Sequence, residues 1–281
     1  MDYSKYKIIA IIGPTAVGKT DFSIKLAKEL NGEVINGDSV QVYKGLDIGS
    51  AKIKEEEKQG ITHHLIDIKQ PNEEYTVRDF QQDGRKKIED IISRGKVPII
   101  VGGSGLYISA LLYDYKFDTS FKESKFNTFT DQEILDYVNI NNIDLPSNIN
   151  LNNLTRVKNY LIKLDLDIDI EDSGKNLYYD DVLIIGLTMK REELYNRINL
   201  RVDNMIEQGL IEEVKQFNKE DSSQFAIGYK EIHQYLAHEL SIEESIELIK
   251  KNSRNFAKRQ YTWFNNKLDV KWYDVKENKW L

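Results

Sequence analysis

The sequence predicts an α/β fold, a parallel sheet flanked by helices and carrying a smaller, mostly helical inserted subdomain, and three observations support this. The first is a continuous apolar run from Lys7 to Ile12 that stops at Gly13-Pro14. A strand buried on both faces of a parallel sheet reads this way, without the alternation of a half-exposed strand. The second is Gly13-Pro14-Thr15-Ala16-Val17-Gly18-Lys19-Thr20, which has the form G-x-x-x-x-G-K-[ST] and lies between a predicted strand and a predicted helix, as that motif requires. The third is the alternation of strand-like and helix-like segments over residues 7 to 101. It implies parallel strands joined by right-handed crossovers, and with the loop it makes the sheet P-loop NTPase-like.

The elements follow in order. A helix is expected from Lys19 to Leu30, because Phe22, Leu26 and Leu30 recur every fourth residue. Glu33 to Asn36, Thr62 to Ile68 and Val97 to Val101 read as short strands. Between the last two, Thr76 to Ser93 predicts a helix with Val77, Phe80, Ile88, Ile91 and Ile92 as its buried stripe. From Tyr115 to Asp180 the pattern gives way to Asn-, Asp- and Ser-rich sequence with weak helical periodicity, which predicts an inserted subdomain over 115–180. The core domain then comprises 1–114 and 181–281. A strand resumes at Val182 to Leu187, and a helix from Arg191 to Gln208 carries Leu194, Ile198, Val202, Met205 and Ile206 on one face before Gly209 stops it. The last long helix starts at Ser241, where Glu244 three residues on completes a capping box, and runs toward Trp263.

Composition narrows the function. With 281 residues, 40% of them hydrophobic and 30% charged, the chain can bury a substantial core. No apolar run approaches the roughly 20 residues of a membrane helix, and Met1 to Lys7 lacks a signal-peptide stretch, so a cytoplasmic monomer with no membrane association is expected. Zero cysteines exclude disulfides, thiolate metal sites and cysteine nucleophiles. The net charge of −7 argues against a polyanionic partner only as a total. Negative charge is concentrated at Glu55-Glu56-Glu57 and between Asp165 and Asp172, which leaves room for a basic groove elsewhere.

The glycine-rich loop and the helix behind it make a concave anion site from backbone N–H groups; Lys19 adds a point charge and the Thr20 hydroxyl can hold Mg²⁺. Such a loop accepts a diphosphate or a nucleotide such as ATP without distinguishing them. A kinase of a nucleoside or small metabolite is the default reading, and Asp67, closing His63-His64-Leu65-Ile66, offers it a carboxylate. The strand at Val97 to Val101 instead ends in Gly102-Gly103-Ser104-Gly105, with no acid. Adjacent strand residues point to opposite faces, so His63 and His64 cannot readily share a metal ion and are expected to be structural or pocket residues.

The segment Gly37-Asp38-Ser39-Val40-Gln41-Val42-Tyr43-Lys44-Gly45-Leu46-Asp47-Ile48-Gly49-Ser50-Ala51-Lys52 changes the balance. It resembles the signature of the tRNA dimethylallyltransferases. The phosphate loop, His63-His64-Leu65-Ile66-Asp67, Tyr75 to Phe80, Gly102 to Tyr107, Ile227 to Glu231 and Ala257 to Phe264 are similar to that family in the same order. The resemblance covers residues 7 to 112 and 182 to 273. Where the family commonly has proline after Lys52, Ile53 stands here, and the middle region is shorter than usual.

The resemblance implies transfer of a dimethylallyl group from dimethylallyl diphosphate, with Mg²⁺, to the N6 amine of the adenine 3′-adjacent to the anticodon in tRNAs reading codons that start with U. An adenine amine is a poor nucleophile because its lone pair is delocalised, so a carboxylate base is needed, and Asp38 at a strand end beside the loop is that base. Its alternative role is an Asx turn. By resemblance Ser104 and Arg201 contact the diphosphate, with Arg197, four residues before Arg201, as a second arginine; a solvated basic face is the alternative for that pair. For the tRNA anticodon stem-loop the resemblance implicates Asp38, Ser39, Val40, Gln41 and Ser104. It further implicates Phe225, Ala226, Ile227, Gly228, Tyr229 and Lys230. On the last helix it adds Arg254, Lys258, Arg259, Gln260, Thr262 and Trp263. Basic and aromatic residues together, Tyr261 and Phe264 included, suit single-stranded loops. In the insertion only Arg156 echoes the family's tRNA-contacting helix. A third reading, a nucleotide-gated RNA-binding module, leaves Asp38 without a purpose.

Overall fold

The structure, a computed structural model, describes residue 3 and residues 5–117, 124–146, 149–166, 174–217 and 226–276. Its sheet is built from β1 (Ile8–Ile12), β2 (Gly32–Asn36), β3 (His63–His64), β4 (Val97–Gly102), β5 (Val182–Thr188) and β6 (Lys271–Asp274). All neighbours pair in parallel, in the order β3-β2-β4-β1-β5-β6. Every residue of β1 and β2 is buried, as the unbroken apolar run of β1 predicts.

Helix α1 (Lys19–Leu30) follows the loop directly, and α2 (Val77–Ser93) is capped by Thr76 with a reciprocal bond from Asp79. Its buried face is Phe80, Gln81, Gly84, Ile88 and Ile91. Ile92, expected in that stripe, is 38% exposed, one position past the inward face, and Val77 is only half-buried at the helix start. The strand expected over Thr62 to Ile68 shrinks to two residues because Leu65 and Asp67 take left-handed backbone angles, φ 60° and 55°, that no strand can hold. Helix α3 (Gly105–Leu112), apolar around most of its circumference and almost wholly buried, has no polar face for periodicity to reveal.

The chain divides into two compact units, Met1–Tyr113 with Leu177–Leu281, and Asp114–Asn176. In the second, α4 (Asp131–Ile140) and α5 (Leu154–Asp165) pack Ile134 and Val138 against Val157 and Leu161, with Phe126 completing the cluster. The first unit continues with α6 (Arg191–Glu207), α7 (Leu210–Val214), α8 (Tyr229–Leu236) and α9 (Ile242–Lys267), the last opened by the Ser241–Glu244 capping box. These helices share a core of Val202, Met205, Leu210, Val214, Tyr229, Ile232 and Ile249, which also receives Leu46 from the segment after β2. Among the described residues no helix is long and apolar enough to cross a membrane.

Candidate active site

β4 lies between β2 and β1, so the turns leaving the carboxyl ends of these three strands converge. With α6 and α9 they enclose a cavity of about 360 Å³ whose lining includes Thr15, Lys19, Thr20, Asp38, Ser39, Val40, Gln41, Ser104 and Arg201. Residues far apart in sequence thus meet because the parallel topology brings strand ends together.

The phosphate loop forms as its sequence demands. Gly18 caps α1 with φ +107°, a conformation that favours glycine, and supplies no side chain to the first turn, whose N–H groups stay available to an anion. Lys19 curls back and donates from Nζ to the carbonyls of Gly13 (3.0 Å) and Pro14 (2.8 Å). Burial lowers its pKa to about 7, the Arg201 charge adds to the effect, and Asp38 opposes it. Arg201 donates to Thr15 Oγ1 (3.1 Å) and to the Ser50 carbonyl (3.2 Å); burial also lowers its pKa, against Asp38. Among the described residues neither cation makes an ion pair. Two half-buried cations facing one cavity are costly unless an anion joins them.

Asp38 is held from β2. The Asn36 side chain, 4% exposed, accepts the Asp38 N–H (3.1 Å) and donates to the Asp38 carbonyl (3.1 Å) and the Leu65 carbonyl (3.0 Å). Asp38 Oδ1 accepts the Val40 N–H (2.9 Å), so the Asx turn weighed above is present. The other carboxylate oxygen has no hydrogen bond among the described residues and is left for a substrate. Ser104 Oγ accepts the Ser39 N–H (3.0 Å) and donates to Ser39 Oγ (3.2 Å), tying the β4 turn to the β2 turn.

The remaining wall is apolar: Ile198, Val202, Met205, Ile227, Ile249 and Phe256 line the same cavity. The sequence reading assigned the α6 residues to the core alone, because periodicity marks which face turns inward and not whether that face is fully covered. Asn36 was missed as well; its signal was a polar side chain closing an apolar strand.

Several expected contacts lie elsewhere. Arg197 is exposed and lines a separate cavity of about 490 Å³ with Gly18, Asp21, Lys25 and Glu193; it is not among the residues lining the Asp38 cavity. Asp67 faces Lys52 in an ion pair and does not line the main cavity. His64 bonds Glu33 (2.7 Å) and His63 the Ile61 carbonyl (2.9 Å), both structural. Tyr229, expected to meet tRNA, is 0% exposed and donates to Glu213 Oε1 (2.6 Å); Gly228 is buried beside it. Ala226 and Ile227 are half-buried in the cavity wall, Lys230 is exposed, and Phe225 lies outside the described residues.

On α9 the expected mixture of basic and aromatic contacts separates by helical phase. Lys258, Arg259 and Thr262 are exposed; Phe264 is fully buried, and Tyr261 bonds Thr188 (2.9 Å). Trp263 packs over Gly105 and donates to Ser109 Oγ (3.2 Å), so its ring is committed to α3. Arg254 donates to Asn199 Oδ1 (2.6 Å). Gln260 is 4% exposed; its Oε1 accepts the Thr15 N–H (2.8 Å) and its Nε2 donates to the Gly103 carbonyl (3.0 Å), so it staples the phosphate loop to the β4 turn from within the cavity wall. Arg156 sits in the first turn of α5, in the 114–176 unit, its N–H capped by Asn153.

For a divalent metal the donors are sparse. The Thr20 hydroxyl and the Asp38 carboxylate line one cavity, and no group of three or more His, Cys, Asp or Glu side chains gathers anywhere among the described residues. Such a set fits Mg²⁺, which takes one or two protein oxygens and completes its shell with water and substrate phosphates.

The family model for IPP transferase matches residues 41–267. The tRNA dimethylallyltransferase of Anoxybacillus flavithermus is 48% identical, over 97% of this chain and 91% of its own; that of Bacillus cytotoxicus is 46% identical, over 97% and 92%. Among solved structures, a tRNA isopentenylpyrophosphate transferase from Bacillus halodurans superposes with a TM-score of 0.75 at 43% identity, covering 96% of this chain and 90% of that one. A eukaryotic dimethylallyltransferase acting on tRNA gives a TM-score of 0.84 at 32% identity, over 98% and 75%.

Proposed function

The chain belongs to the IPP transferase family, and on that footing we propose that it is a tRNA dimethylallyltransferase acting on the adenine 3′-adjacent to the anticodon in tRNAs reading codons that start with U. The observation that carries this reading is the two-sided cavity. One wall holds the phosphate loop with Lys19 and Arg201; the other is the apolar surface of Val202, Met205, Ile227, Ile249 and Phe256. A prenyl diphosphate has that same division, an anionic end and a short hydrocarbon end, whereas a nucleoside triphosphate would bring polar ribose edges to an apolar wall.

The chemistry follows from placement. The diphosphate seats on the N–H groups of the loop and the first turn of α1, and Lys19 and Arg201 receive the charge that grows on the leaving oxygen as the carbon–oxygen bond breaks. Mg²⁺, held by Thr20 and the substrate phosphates, would supply further charge neutralisation. The adenine N6 forms the new bond to the freed allylic carbon, and Asp38 takes the N6 proton; pyrophosphate leaves. Asn36 fixes the carboxylate through the backbone of its own residue, and Ser104 positions Ser39 beside it. Substrate RNA reaches the cavity past the exposed Lys258 and Arg259, with Ser39, Val40 and Gln41 available to the target base and its neighbour.

The test is incubation of the protein with Mg²⁺, labelled dimethylallyl diphosphate and unmodified tRNA, followed by nucleoside analysis. Prenylated adenosine at the position after the anticodon is the expected product. ATP hydrolysis or phosphoryl transfer with no prenylated nucleoside would overturn the reading.

A further inference from the structure

Asp47, Ile48 and Gly49 present three successive backbone N–H groups to one point. That arrangement forms a nest of the kind that binds anions, and here the chain's own Glu213 fills it. Glu213 Oε2 accepts from Asp47 (3.1 Å) and Ile48 (2.7 Å); Oε1 accepts from Gly49 (3.0 Å) and from the Tyr229 hydroxyl (2.6 Å). Glu213 is 7% exposed and stands on the short helix α7, more than a hundred and fifty residues along the chain from the turn it holds. A carboxylate with four donors is a stiff joint, since each bond is charge-assisted and the group is out of water.

The next residue in the turn does the work at the site. The Ser50 carbonyl accepts from Arg201 Nη2 (3.2 Å) and from Gln41 Nε2 (3.2 Å). Gly49, Ser50 and Ala51 line the cavity itself. Gly49 is fitted against the Tyr229 ring so closely that any side chain there would collide with it, so the turn cannot slide inward to compensate for a lost anchor.

We infer that Glu213 is a positioning residue for the transfer reaction: by filling the nest it fixes the Ser50 carbonyl, which orients Arg201 toward the diphosphate and Gln41 toward the target base. The inference rests on the prenyl-transfer reading for its substrates, but its physical content concerns only the anion end of the cavity. Glu213 touches no reacting atom.

The decisive variant is Glu213→Gln, which keeps the shape, removes the charge and puts an NH₂ group against the nest. A mispositioned Arg201 is expected to raise KM for dimethylallyl diphosphate and to lower kcat, together costing about ten- to a hundredfold in kcat/KM. Inorganic pyrophosphate affinity, read by calorimetry without any turnover, should fall in parallel. Tyr229→Phe deletes one of the four bonds on the core side and should lower thermal stability while changing these constants less than about threefold. A folded Glu213→Gln protein with unchanged KM, kcat and pyrophosphate affinity would overturn the proposal, as would Tyr229→Phe matching its kinetic loss. Should Glu213→Gln fail to fold, amide exchange in the unaltered protein decides. The Asp47, Ile48 and Gly49 amides are expected to be far slower than that of the neighbouring exposed Gly45, and equal rates would overturn the proposal. If the unaltered protein binds pyrophosphate but transfers no prenyl group, the functional reading fails while the pyrophosphate comparison still judges Glu213.

Discussion

Strand β2 has a buried polar side chain near each end, and the two ends treat charge in opposite ways. Near the amino end, Glu33 is 3% exposed and its carboxylate is ringed by partners: the cations Arg94, which bonds both oxygens (2.6 and 2.8 Å), and Lys96, which bonds one (2.7 Å), with the His64 ring on the other (2.7 Å). The hydrogen bonds from Arg94, then those from Lys96 and His64, hold its pKa well below the carboxylate range against the opposing effect of burial. At the carboxyl end, Lys19 and Arg201 are half-buried and face one cavity, with Asp38 as the only nearby carboxylate that shifts them, and it pairs with neither. A charge compensated within the fold belongs to the architecture. A charge left uncompensated is held for something that binds, and proteins accept the resulting loss of stability at such places.

The largest consequence concerns the one acid at the uncompensated end. Asp38→Asn preserves the Asx turn through its side-chain oxygen but removes the proton acceptor, so kcat should fall about 10²- to 10⁴-fold with tRNA affinity nearly unchanged. Parallel measurement of single-turnover rate and tRNA binding checks this; equal loss in both would make Asp38 a binding residue.

Lys19 sharpens the comparison through pH. Its pKa of about 7 in the free protein means that it is largely neutral at pH 8. A bound diphosphate favours the charged form, so binding at pH 8 should take up nearly one more proton in the unaltered protein than in Lys19→Met, and little more at pH 6. Calorimetry in two buffers of different ionisation enthalpy measures the difference. The folding linkage has the same origin. The unfolded chain keeps this proton up to the ordinary value of 10.5 while the folded protein releases it near 7, so stability rises with pH across that window. In Lys19→Met that contribution to the rise should disappear, and the variant should be the more stable protein at pH 7.

Glu33 should behave in reverse. Glu33→Gln leaves Arg94, Lys96 and His64 around a neutral group and should cost about 2 kcal/mol in urea unfolding at pH 7, with kcat/KM unaltered. Because the folded pKa of Glu33 is depressed, its contribution is present above the ordinary value of 4.5 and is lost as pH falls below it. The deficit of the variant should therefore shrink between about pH 4.5 and 2. A deficit in activity in place of stability would erase the distinction between the two ends.

The same distinction explains what could be read from sequence. β1, the loop and α1 were legible to within a residue, because an apolar run, a glycine-rich turn and a four-residue period are local signals. The meeting of Asp38 and Arg201 was legible only through the family signature, since nothing local says that α6 crosses the end of β2. Gln260, Tyr229 and Trp263, expected to touch RNA, each make a hydrogen bond that holds the protein together. A motif marks residues that matter without saying which side of the surface they face, and burial decides that. Glu213 left no trace in the sequence reading: one acid in Glu212-Glu213 on a short helix looks solvated until the nest it fills is seen.

The smallest effects belong to charges that are neither compensated nor buried. Lys258 and Arg259 are exposed on α9, and Arg259 also lines the cavity, its guanidinium 5.7 Å from the Phe256 ring. In water each contributes to RNA affinity chiefly by displacing a counterion from a phosphate, which has a signature no positioning residue shares. Lys258→Ala should weaken tRNA binding by about three- to tenfold and reduce the slope of log affinity against log salt by about one unit, with single-turnover rate at saturating tRNA unchanged. Arg259→Ala should do the same and lose slightly more, because stacking on Phe256 fixes its direction. An unchanged slope in both would mean that the phosphates run elsewhere, and Lys230 on α8, exposed though paired with Glu231 (3.6 Å), would be the next cation to remove.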